Sequence, residues 1–334
     1  MSRISIMGGG AWGTAIAISL ARRGGHGLTL WTHSGETARS IHATRENIGF
    51  LPGFTIPAEI AVTTDPEPAI ASAEILVSVM PSHHVRASYQ RFAPWLRPGQ
   101  LLVSATKGIE DGSYLRVSEI IADVLAQQNL QLPCAVLSGP SFAQEVAAGS
   151  PTAITIAASD SAVAARIQRD FSSSTLRLYT NDDVIGVELG GALKNVIAIA
   201  AGVVSGLGLG HNSTAALITR GVAEVTRLAI ACGGRGETLA GLSGLGDLVL
   251  TCTGALSRNR RVGIELGRGL PLAEVLDNLQ GKVAEGVRTT TAALGLAQLH
   301  GIELPIAEQV AAILQGKSAI QAMQELMVRP GREE

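Results

Sequence analysis

Hydrophobic positions in the first half of the chain form short runs that alternate with helical patterns. Six of these runs predict buried strands, at residues 4–7, 28–31, 75–79, 101–105, 135–137 and 153–157. Between them apolar residues recur at helical spacing, as at 12–22, 83–91 and 115–127. Alternating strands and helices are typical of α/β proteins, in which a doubly wound, mostly parallel sheet lies buried between helices.

From about Ile185 onward the strand pattern stops and helical patterns follow one another. They cover residues 185–206, 213–231, 257–267, 285–299 and 305–327. A chain of 334 residues is also too long for one ordinary core and suits two domains. We therefore predict an α/β domain at residues 1–183 and an all-α domain at residues 184–334.

Composition and charge narrow the class of protein. Hydrophobic residues make up 46% of the chain and charged residues 16%, and the net charge of −2 gives no general attraction to nucleic acid or anionic membranes. The three cysteines (Cys134, Cys232 and Cys252) are odd in number and widely spaced, which favours reduced thiols in the cytoplasm over disulfides or a zinc site. The scattered histidines do not suggest a metal cluster, and the opening MSRISIMGGG lacks the apolar core of a signal peptide.

One stretch, residues 195–219, carries no Asp, Glu, Lys or Arg and is long enough to cross a membrane. However, it contains four glycines together with His211, Asn212 and Ser213, and no Lys/Arg-rich segment flanks it. We therefore expect it to be buried within a protein domain and the chain not to span a membrane.

The first strand leads directly into a glycine-rich turn, ISIMGGGAWGTAIAISLARRG. Gly8, Gly10 and Gly13 have the G-x-G-x-x-G spacing, and the turn opens an apolar helix, which is the context of a Rossmann-type dinucleotide site. There the first glycine permits the tight turn, the second admits the pyrophosphate to the backbone, and the third allows close packing of helix on strand. The alternative is a glycine turn without a ligand.

An acidic residue near the end of the second strand usually selects NAD by binding the ribose. Here Thr32, His33 and Ser34 occupy that place, and Arg39 follows. Because there is no acidic residue at this position to repel a 2′-phosphate, we expect NADPH/NADP to be preferred, with NADH/NAD also possible.

Lys194 stands inside the apolar, glycine-rich run VELGGALKNVIAIAAGVVSGLGLG. If this run is a helix, its neighbours one turn away are Gly190, Gly191, Ile197 and Ala198, and none of them is a carboxylate. An ammonium group in such surroundings needs either a partner from elsewhere in the fold or a function.

Three further stretches carry candidate chemistry. LLVSATKGIEDG places Lys107 just past a strand, at the edge where open α/β sheets bind ligands, although a solvated loop lysine is the plainer alternative. VLSGPSFAQEVA ends another strand and starts a helix, and Ser141 with Gln144 predicts a capping box there.

The third stretch is GLSGLGDLVLTCTGALSRNRR. Asp247 lies between a glycine and an apolar run, which is unfavourable for an unpaired carboxylate. Ten residues on, Ser257, Arg258, Asn259 and Arg260 cluster donors near a predicted helix start, where a guanidinium can hold a phosphate with two hydrogen bonds. A solvated helix face is the alternative for the two arginines.

Together these segments resemble the bacterial-type NAD(P)-dependent glycerol-3-phosphate dehydrogenases. The resemblance is carried, in the family's order and over nearly the whole chain, by GGGAWGTA, MPSH, ATKGIE, SGPSFAQEVAAG, ELGGALKNVIAIAAG, GLSGLGDLVLTCT, SRNRR and VAEGVRT. It implies reversible reduction of dihydroxyacetone phosphate to sn-glycerol 3-phosphate for phospholipid synthesis, in a cytoplasmic homodimer that uses no metal.

The resemblance also implies roles for individual residues. Lys194 would be the proton donor and acceptor. The substrate would be bound by Lys107, Gly139, Ser141, Lys194, Asp247, Ser257, Arg258 and Asn259. The cofactor would be bound by Gly8, Gly10, Ala11, Trp12, Gly13, His33, Lys107, Ala143, Arg258, Val283 and Glu285. Two positions depart from the family pattern, because Ala11 stands where serine is common and Ser141 where threonine is frequent.

The implied role as proton donor explains why Lys194 stands in an apolar helix. Partial desolvation lowers the pKa of an ammonium group and makes it a better acid, and Asp247 becomes the partner that the helix itself lacks. Gly190 and Gly191 are expected to clear the helix face so that the substrate can approach Lys194.

Two other classes of protein predict different motifs from those found here. A 6-phosphogluconate or β-hydroxyacid dehydrogenase shares the Lys194–Asn195 pair but not GLGDLVLTCT with SRNRR. A non-catalytic nucleotide sensor would keep the fold and lose Lys194, Asp247 or Arg258, all of which are present.

Overall fold

All ten strands, with helices between most of them, lie before residue 182, and helices follow one another from residue 184 onward, in a computed structural model that describes residues 1–279 and 284–330. The chain divides into two compact units. The first comprises Met1–Lys107 and Arg116–Val187; the second comprises Gly108–Leu115 and the chain from Glu188 onward. The predicted fold class, an α/β part followed by an all-α part, is confirmed.

Ten strands belong to the first unit. They are β1 (Ser2–Met7), β2 (His26–Trp31), β3 (Glu46–Asn47), β4 (Leu51–Thr55), β5 (Ile60–Thr63), β6 (Ile75–Ser78), β7 (Leu101–Ser104), β8 (Cys134–Ser138), β9 (Thr152–Ala157) and β10 (Leu176–Asn181). Eight form one sheet in the order β10-β9-β8-β7-β6-β1-β2-β5, parallel throughout except for the antiparallel β8–β9 pair. All six strands predicted from the apolar runs are present.

Seven helices connect these strands within the same unit. They are α1 (Ala11–Arg23), α2 (Gly35–Thr44), α3 (Pro66–Ser72), α4 (Val85–Phe92), α5 (Val117–Ala126), α6 (Ala143–Ala148) and α7 (Ser161–Phe171). The strands are apolar because both faces of a doubly wound sheet are covered; β6 and β7 are buried along their whole length.

Four strands lie outside the predicted set. β5 and β10 are the two edges of the sheet, and β10 alternates buried with exposed side chains, so its apolar signal is half that of a central strand. β3 and β4 pair as a separate antiparallel ribbon between α2 and β5. β3 is only two residues long, which is too short to show a hydrophobic period in the sequence.

Helix α8 (Val184–Gly206) crosses the division between the units, and the rest of the second unit is helical. Its further α-helices among the described residues are α9 (His211–Ala231), α10 (Gly236–Leu239), α11 (Asp247–Thr253), α12 (Arg258–Gly267), α13 (Leu272–Asp277), α14 (Glu285–Leu299), α15 (Pro305–Leu314) and α16 (Ala319–Met327). The single helix predicted at 305–327 is wrong: it is α15 and α16, separated at Gly316, whose φ of +102° ends the first helix.

The long uncharged stretch 195–219 is likewise not one helix, because α8 ends at Gly206 and α9 starts at His211. α8 is long and apolar enough to cross a bilayer, but 89% of its most apolar window is buried inside the protein. That burial is characteristic of a core helix. The expectation that the whole stretch 195–219 is buried is wrong for its second part, because residues 204–219 are all partly or fully exposed.

Glycines bring α8 and α12 into close contact. A Cβ on Gly202 would lie 2.0 Å from the carbonyl oxygen of Arg260, and one on Gly263 would lie 1.9 Å from that of Ile199. Since no side chain fits between the two backbones at these points, the spacing is set by main-chain contact. The helix that carries Lys194 is thereby fixed against the helix that starts at Arg258.

Glu224 is a buried carboxylate that caps another helix of the second unit. It lies on α9, is 2% exposed, and accepts hydrogen bonds from the main-chain N–H groups of Ile306 (2.9 Å) and Ala307 (3.0 Å) in the first turn of α15. Burial raises the pKa of Glu224 to about 7 even though these hydrogen bonds lower it.

This raised pKa predicts how stability depends on pH. Between about pH 4.5 and 7 the folded protein keeps a proton that the unfolded chain releases, so stability falls as pH rises, with a slope of up to about 1.4 kcal/mol per pH unit. Urea unfolding at several pH values should give a shallower slope for Glu224→Gln than for wild type. Glu237→Gln, a change at an exposed position, should keep the wild-type slope. Equal slopes for Glu224→Gln and wild type would contradict the assignment.

Candidate active site

The glycine-rich turn joins β1 to α1 and is fixed by close backbone contacts. Gly8 has φ +147°, and a Cβ there would lie 1.9 Å from the carbonyl oxygen of Val79. A Cβ on Gly13 would lie 1.9 Å from the carbonyl oxygen of Gly8. Both positions therefore require glycine, for the turn and for the approach of helix to strand, as the sequence pattern predicted.

Gly10 differs from these two glycines because a Cβ there would meet nothing within 4 Å. It is the N-cap of the 13-residue α1, with no side-chain cap and no acidic residue in the first turn. The main-chain N–H groups at this helix start therefore lie beside open space and attract an anion. These features fit the pyrophosphate of a dinucleotide, and Ala11 and Trp12 are the first two residues of the helix.

The residues after β2 have separate structural tasks. Thr32 is buried beneath the turn, where a Cβ on Gly9 would lie 2.6 Å from its Cβ. Ser34 caps α2 by accepting a hydrogen bond from the Thr37 N–H (3.2 Å). His33 is exposed and lies 6.2 Å from the Trp31 ring. Of the three residues in the predicted ribose position, His33 is the one whose side chain is available to a ligand.

Lys107, Gly139 and Ser141 come together after the ends of β7 and β8. The Lys107 ammonium is half-buried, 3.5 Å from the carbonyl oxygen of Gly139. Gly139 has φ +139°, and a Cβ there would lie 2.9 Å from Ile154 Cα. The prediction that these two segments share one edge of the sheet is therefore consistent with the geometry.

The predicted capping box of Ser141 with Gln144 is wrong. α6 begins at Ala143 with Phe142 as its N-cap, and no side chain caps it. The Ser141 hydroxyl instead donates a hydrogen bond to the carbonyl oxygen of Gly139 (3.1 Å). The glycine's positive φ turns the chain after β8, and the helix starts one residue too late for Ser141 to be its N-cap.

Lys194 lies in the middle of α8 and is 8% exposed. Its ammonium donates a hydrogen bond to Oδ1 of Asp247, the first residue of α11, which is fully buried. It also donates to the hydroxyl of Thr251 (2.9 Å), one turn further along the same helix. The expected tertiary partner of Lys194 is therefore present, and the pair forms a buried ion pair.

Thr251 was not among the predicted residues. Its hydroxyl donates a hydrogen bond to the main-chain oxygen of Asp247 (2.6 Å) while accepting one from Lys194. The sequence signal was the i, i+4 spacing from Asp247, which has this meaning only once the helix is known to begin at Asp247.

The expectation that Gly190 clears a path for substrate is not what the geometry shows. A Cβ on Gly190 would lie 2.6 Å from the carbonyl oxygen of Ser243. Ser243 belongs to a π-helical turn, Leu242–Gly246, that leads directly into Asp247. Gly190 thus makes room for the backbone that positions Asp247, because any side chain there would displace this turn.

Ser257, Arg258 and Asn259 form the start of α12. Ser257 caps the helix by accepting from the Arg260 N–H (3.2 Å). Asn259 is buried: its amide donates to Oδ1 of Asn195 (2.9 Å), and its carbonyl oxygen accepts from the Gly286 N–H (3.0 Å). It therefore ties α8, α12 and α14 together next to Lys194.

The arginines at this helix start differ in exposure. Arg258 has an exposed side chain, whereas Arg260 donates a hydrogen bond to the Ser205 hydroxyl (3.2 Å). Partial desolvation lowers the pKa of Arg258, and the Glu285 carboxylate on α14 raises it back in part. The two predicted cofactor residues Arg258 and Glu285 thus interact electrostatically. Val283, which is also predicted to bind the cofactor, lies outside the described residues.

No group of three His, Cys, Asp or Glu residues within 1–279 and 284–330 is arranged to hold a metal ion. Cys134, Cys232 and Cys252 all lie within the described residues, and none of them forms a disulfide. The polar groups described above are ammonium, guanidinium, carboxylate, hydroxyl and amide groups, together with the main-chain N–H groups of the glycine turn.

Comparison with known proteins finds two matching family models. Residues 3–164 match the N-terminal part and residues 183–325 the C-terminal part of NAD-dependent glycerol-3-phosphate dehydrogenase. The chain is 66% identical over the full length of both chains to a glycerol-3-phosphate dehydrogenase [NAD(P)+] from Acidobacterium capsulatum. It is 50% identical to the enzyme of that name from Geobacter sulfurreducens, over 98% of this chain and 97% of the relative.

Solved structures agree with these matches. A crystal structure of glycerol-3-phosphate dehydrogenase from Coxiella burnetii superposes with a TM-score of 0.93 at 40% identity. The superposition covers 98% of this chain and 99% of that one.

Proposed function

Because this chain belongs to the NAD-dependent glycerol-3-phosphate dehydrogenase family, we propose that it interconverts dihydroxyacetone phosphate and sn-glycerol 3-phosphate with Lys194 as proton donor and acceptor. It is an NAD(P)-dependent oxidoreductase acting on a CH–OH group, and the product serves glycerophospholipid synthesis. The observation that carries the role of Lys194 is its burial on α8 beside Asp247 and Thr251.

Residues 1–183 would bind the dinucleotide, and residues 184–334 would bind the substrate and supply the proton. Gly8, Gly10, Ala11, Trp12 and Gly13 would hold the pyrophosphate at the start of α1, since Gly10 borders open space there. His33, Lys107, Ala143, Arg258, Val283 and Glu285 would make the remaining cofactor contacts. When bound, the nicotinamide supplies the hydride.

Lys194 would give its proton to the ketone oxygen during reduction and take it back during oxidation. The ion pair with Asp247 keeps the ammonium group of Lys194 in this position. The Thr251 hydroxyl restricts the direction of the ammonium. Removal of water from around this pair strengthens the attraction between the ammonium and the oxygen on which charge develops.

The remaining predicted substrate residues would orient the ligand. Lys107, Gly139 and Ser141 offer an ammonium, a main-chain group and a hydroxyl close together at the edge of the sheet. Ser257, Arg258 and Asn259 lie at the start of α12, where the guanidinium of Arg258, an exposed residue, would hold the phosphate.

We further propose a cytoplasmic homodimer. Three cysteines that form no disulfide fit a reducing compartment. The large exposed side chains of Leu299, Ile320 and Met327 offer apolar surface to a second copy. Sedimentation at micromolar concentration measures the oligomeric state, and a monomer would contradict the dimer.

An assay of both cofactors against both forms of the substrate tests the function. We expect NADPH to be oxidised at least as well as NADH, because His33 stands where an acid would exclude the 2′-phosphate. His33→Asp should shift the ratio of kcat/KM values toward NADH. A wild-type protein that uses NADH well and NADPH hardly at all would contradict the cofactor proposal. Equal activity with dihydroxyacetone and its phosphate would contradict the substrate proposal.

A further inference from the structure

Asn47 is a buried polar side chain that lies against the glycine-rich turn and that the sequence did not single out. It is the second residue of β3 and is 1% exposed. Its amide nitrogen donates one hydrogen bond to the carbonyl oxygen of Gly9 (2.9 Å) and one to the hydroxyl of Thr14 (2.8 Å). Both hydrogens of the amide group are therefore used at the turn.

The two acceptors lie on either side of the helix start. Gly9 is in the middle of the turn, and Thr14, which is fully buried, is in the first turn of α1. One side chain thus joins the loop to the helix across Gly10, the N-cap whose surroundings are open. Because the main-chain N–H groups that face this space belong to the segment between the two acceptors, the amide fixes where those donors point.

The ribbon that carries Asn47 is itself anchored. Arg45 ends α2 with φ +53°, and its guanidinium donates hydrogen bonds to the main-chain oxygens of Ile56 (3.1 Å) and Ile60 (3.1 Å). The Ile56 N–H donates to the Arg45 carbonyl oxygen (2.7 Å). Asn47 is therefore presented to the turn from a segment held at both sides, which gives its amide a defined position.

We propose that Asn47 is a positioning residue for dinucleotide binding: it holds the glycine-rich turn in the conformation that receives the pyrophosphate. This inference rests on the proposed function, since it presumes that the turn binds NAD(P). Asn47 does not touch the reacting atoms, so its loss should weaken the affinity for the cofactor and leave the chemical step unchanged.

The test uses Asn47→Leu, which keeps the size of the side chain and removes the donor. We expect the NADPH dissociation constant to rise about tenfold, a loss of about 1.4 kcal/mol. The KM for NADPH should rise with it, while kcat at saturating NADPH and the KM for dihydroxyacetone phosphate stay within twofold of wild type. Thr14→Val removes one of the two acceptors and keeps the shape, so it should raise the dissociation constant in the same direction by less.

Gln100 provides the matched control. It is 2% exposed in the same unit, and its amide also donates two main-chain hydrogen bonds, to Ile70 (2.8 Å) and Ala73 (2.9 Å), away from the turn. Gln100→Leu should lower stability without changing the NADPH dissociation constant.

Each outcome decides the proposal. A dissociation constant for Asn47→Leu within twofold of wild type overturns it, as does an equal loss of affinity in Gln100→Leu. If Asn47→Leu does not fold, Thr14→Val takes its place, and unchanged NADPH affinity in that variant overturns the proposal. A wild-type protein that binds neither NADPH nor NADH contradicts the proposed function instead.

Discussion

Replacing Lys194 with methionine is expected to lower kcat by about 10²–10⁴-fold, which is the usual contribution of a positioned general acid or base. Methionine keeps most of the length of the side chain and removes the ammonium group. NADPH affinity should change little, because the glycine-rich turn and the contacts that fix it lie in the other unit of the chain. Stopped-flow or steady-state rates at saturating substrate, with NADPH affinity measured separately, give both quantities.

The buried ion pair complicates this experiment, because methionine leaves the Asp247 carboxylate buried without the lysine. Breaking such a pair costs about 3–5 kcal/mol of stability. The double variant Lys194→Met/Asp247→Asn removes the charge as well and should recover part of that stability. The reference for the double variant is Asp247→Asn alone. If Lys194 is the proton donor, kcat of the double variant is far below that of Asp247→Asn; if the lysine only stabilises the fold, the two folded variants have the same kcat.

The parts of the site that could be predicted from sequence are those with a local physical cause. The requirement for glycine at 8 and 13 follows from a turn and a helix packed within a few residues of each other. Lys194 and Asp247 each stand in an apolar run and need a partner, and the resemblance to the family then paired them. Their pairing spans 53 positions, yet the need for it is visible in each segment alone.

The parts that could not be predicted depend on contacts between segments distant in sequence, or on backbone dihedral angles that the sequence pattern does not show. Asn47 is on a strand of two residues, so no period marks it, and its acceptors Gly9 and Thr14 are more than 30 positions away. Gly190 was expected to leave room for the substrate to approach Lys194, although the group that approaches it is the backbone at Ser243, which a π-helical turn places there. Ser141 failed as a helix cap because a positive φ two residues earlier redirects the chain.

Replacing Arg258 with alanine is expected to lower kcat/KM for dihydroxyacetone phosphate by about 10²–10⁴-fold. In the proposed function the guanidinium of Arg258 makes two charged hydrogen bonds to the phosphate, each of which contributes about 1.5–3 kcal/mol. Arg258→Lys keeps the charge but not the planar pair of donors, so it should recover only part of the loss. The KM for NADPH should rise more modestly, in keeping with the proposed contact to the cofactor.

Arg261 gives the matched control, because it is exposed on the same helix one turn after Arg258. Arg261→Ala should leave kcat/KM within twofold of wild type. The substrate without phosphate gives the second control: the slow reaction of dihydroxyacetone should be nearly the same in Arg258→Ala and wild type, since it has no phosphate to lose. If Arg258→Ala slowed both substrates equally, the arginine would act on the cofactor or the fold, and phosphate recognition would belong to another residue.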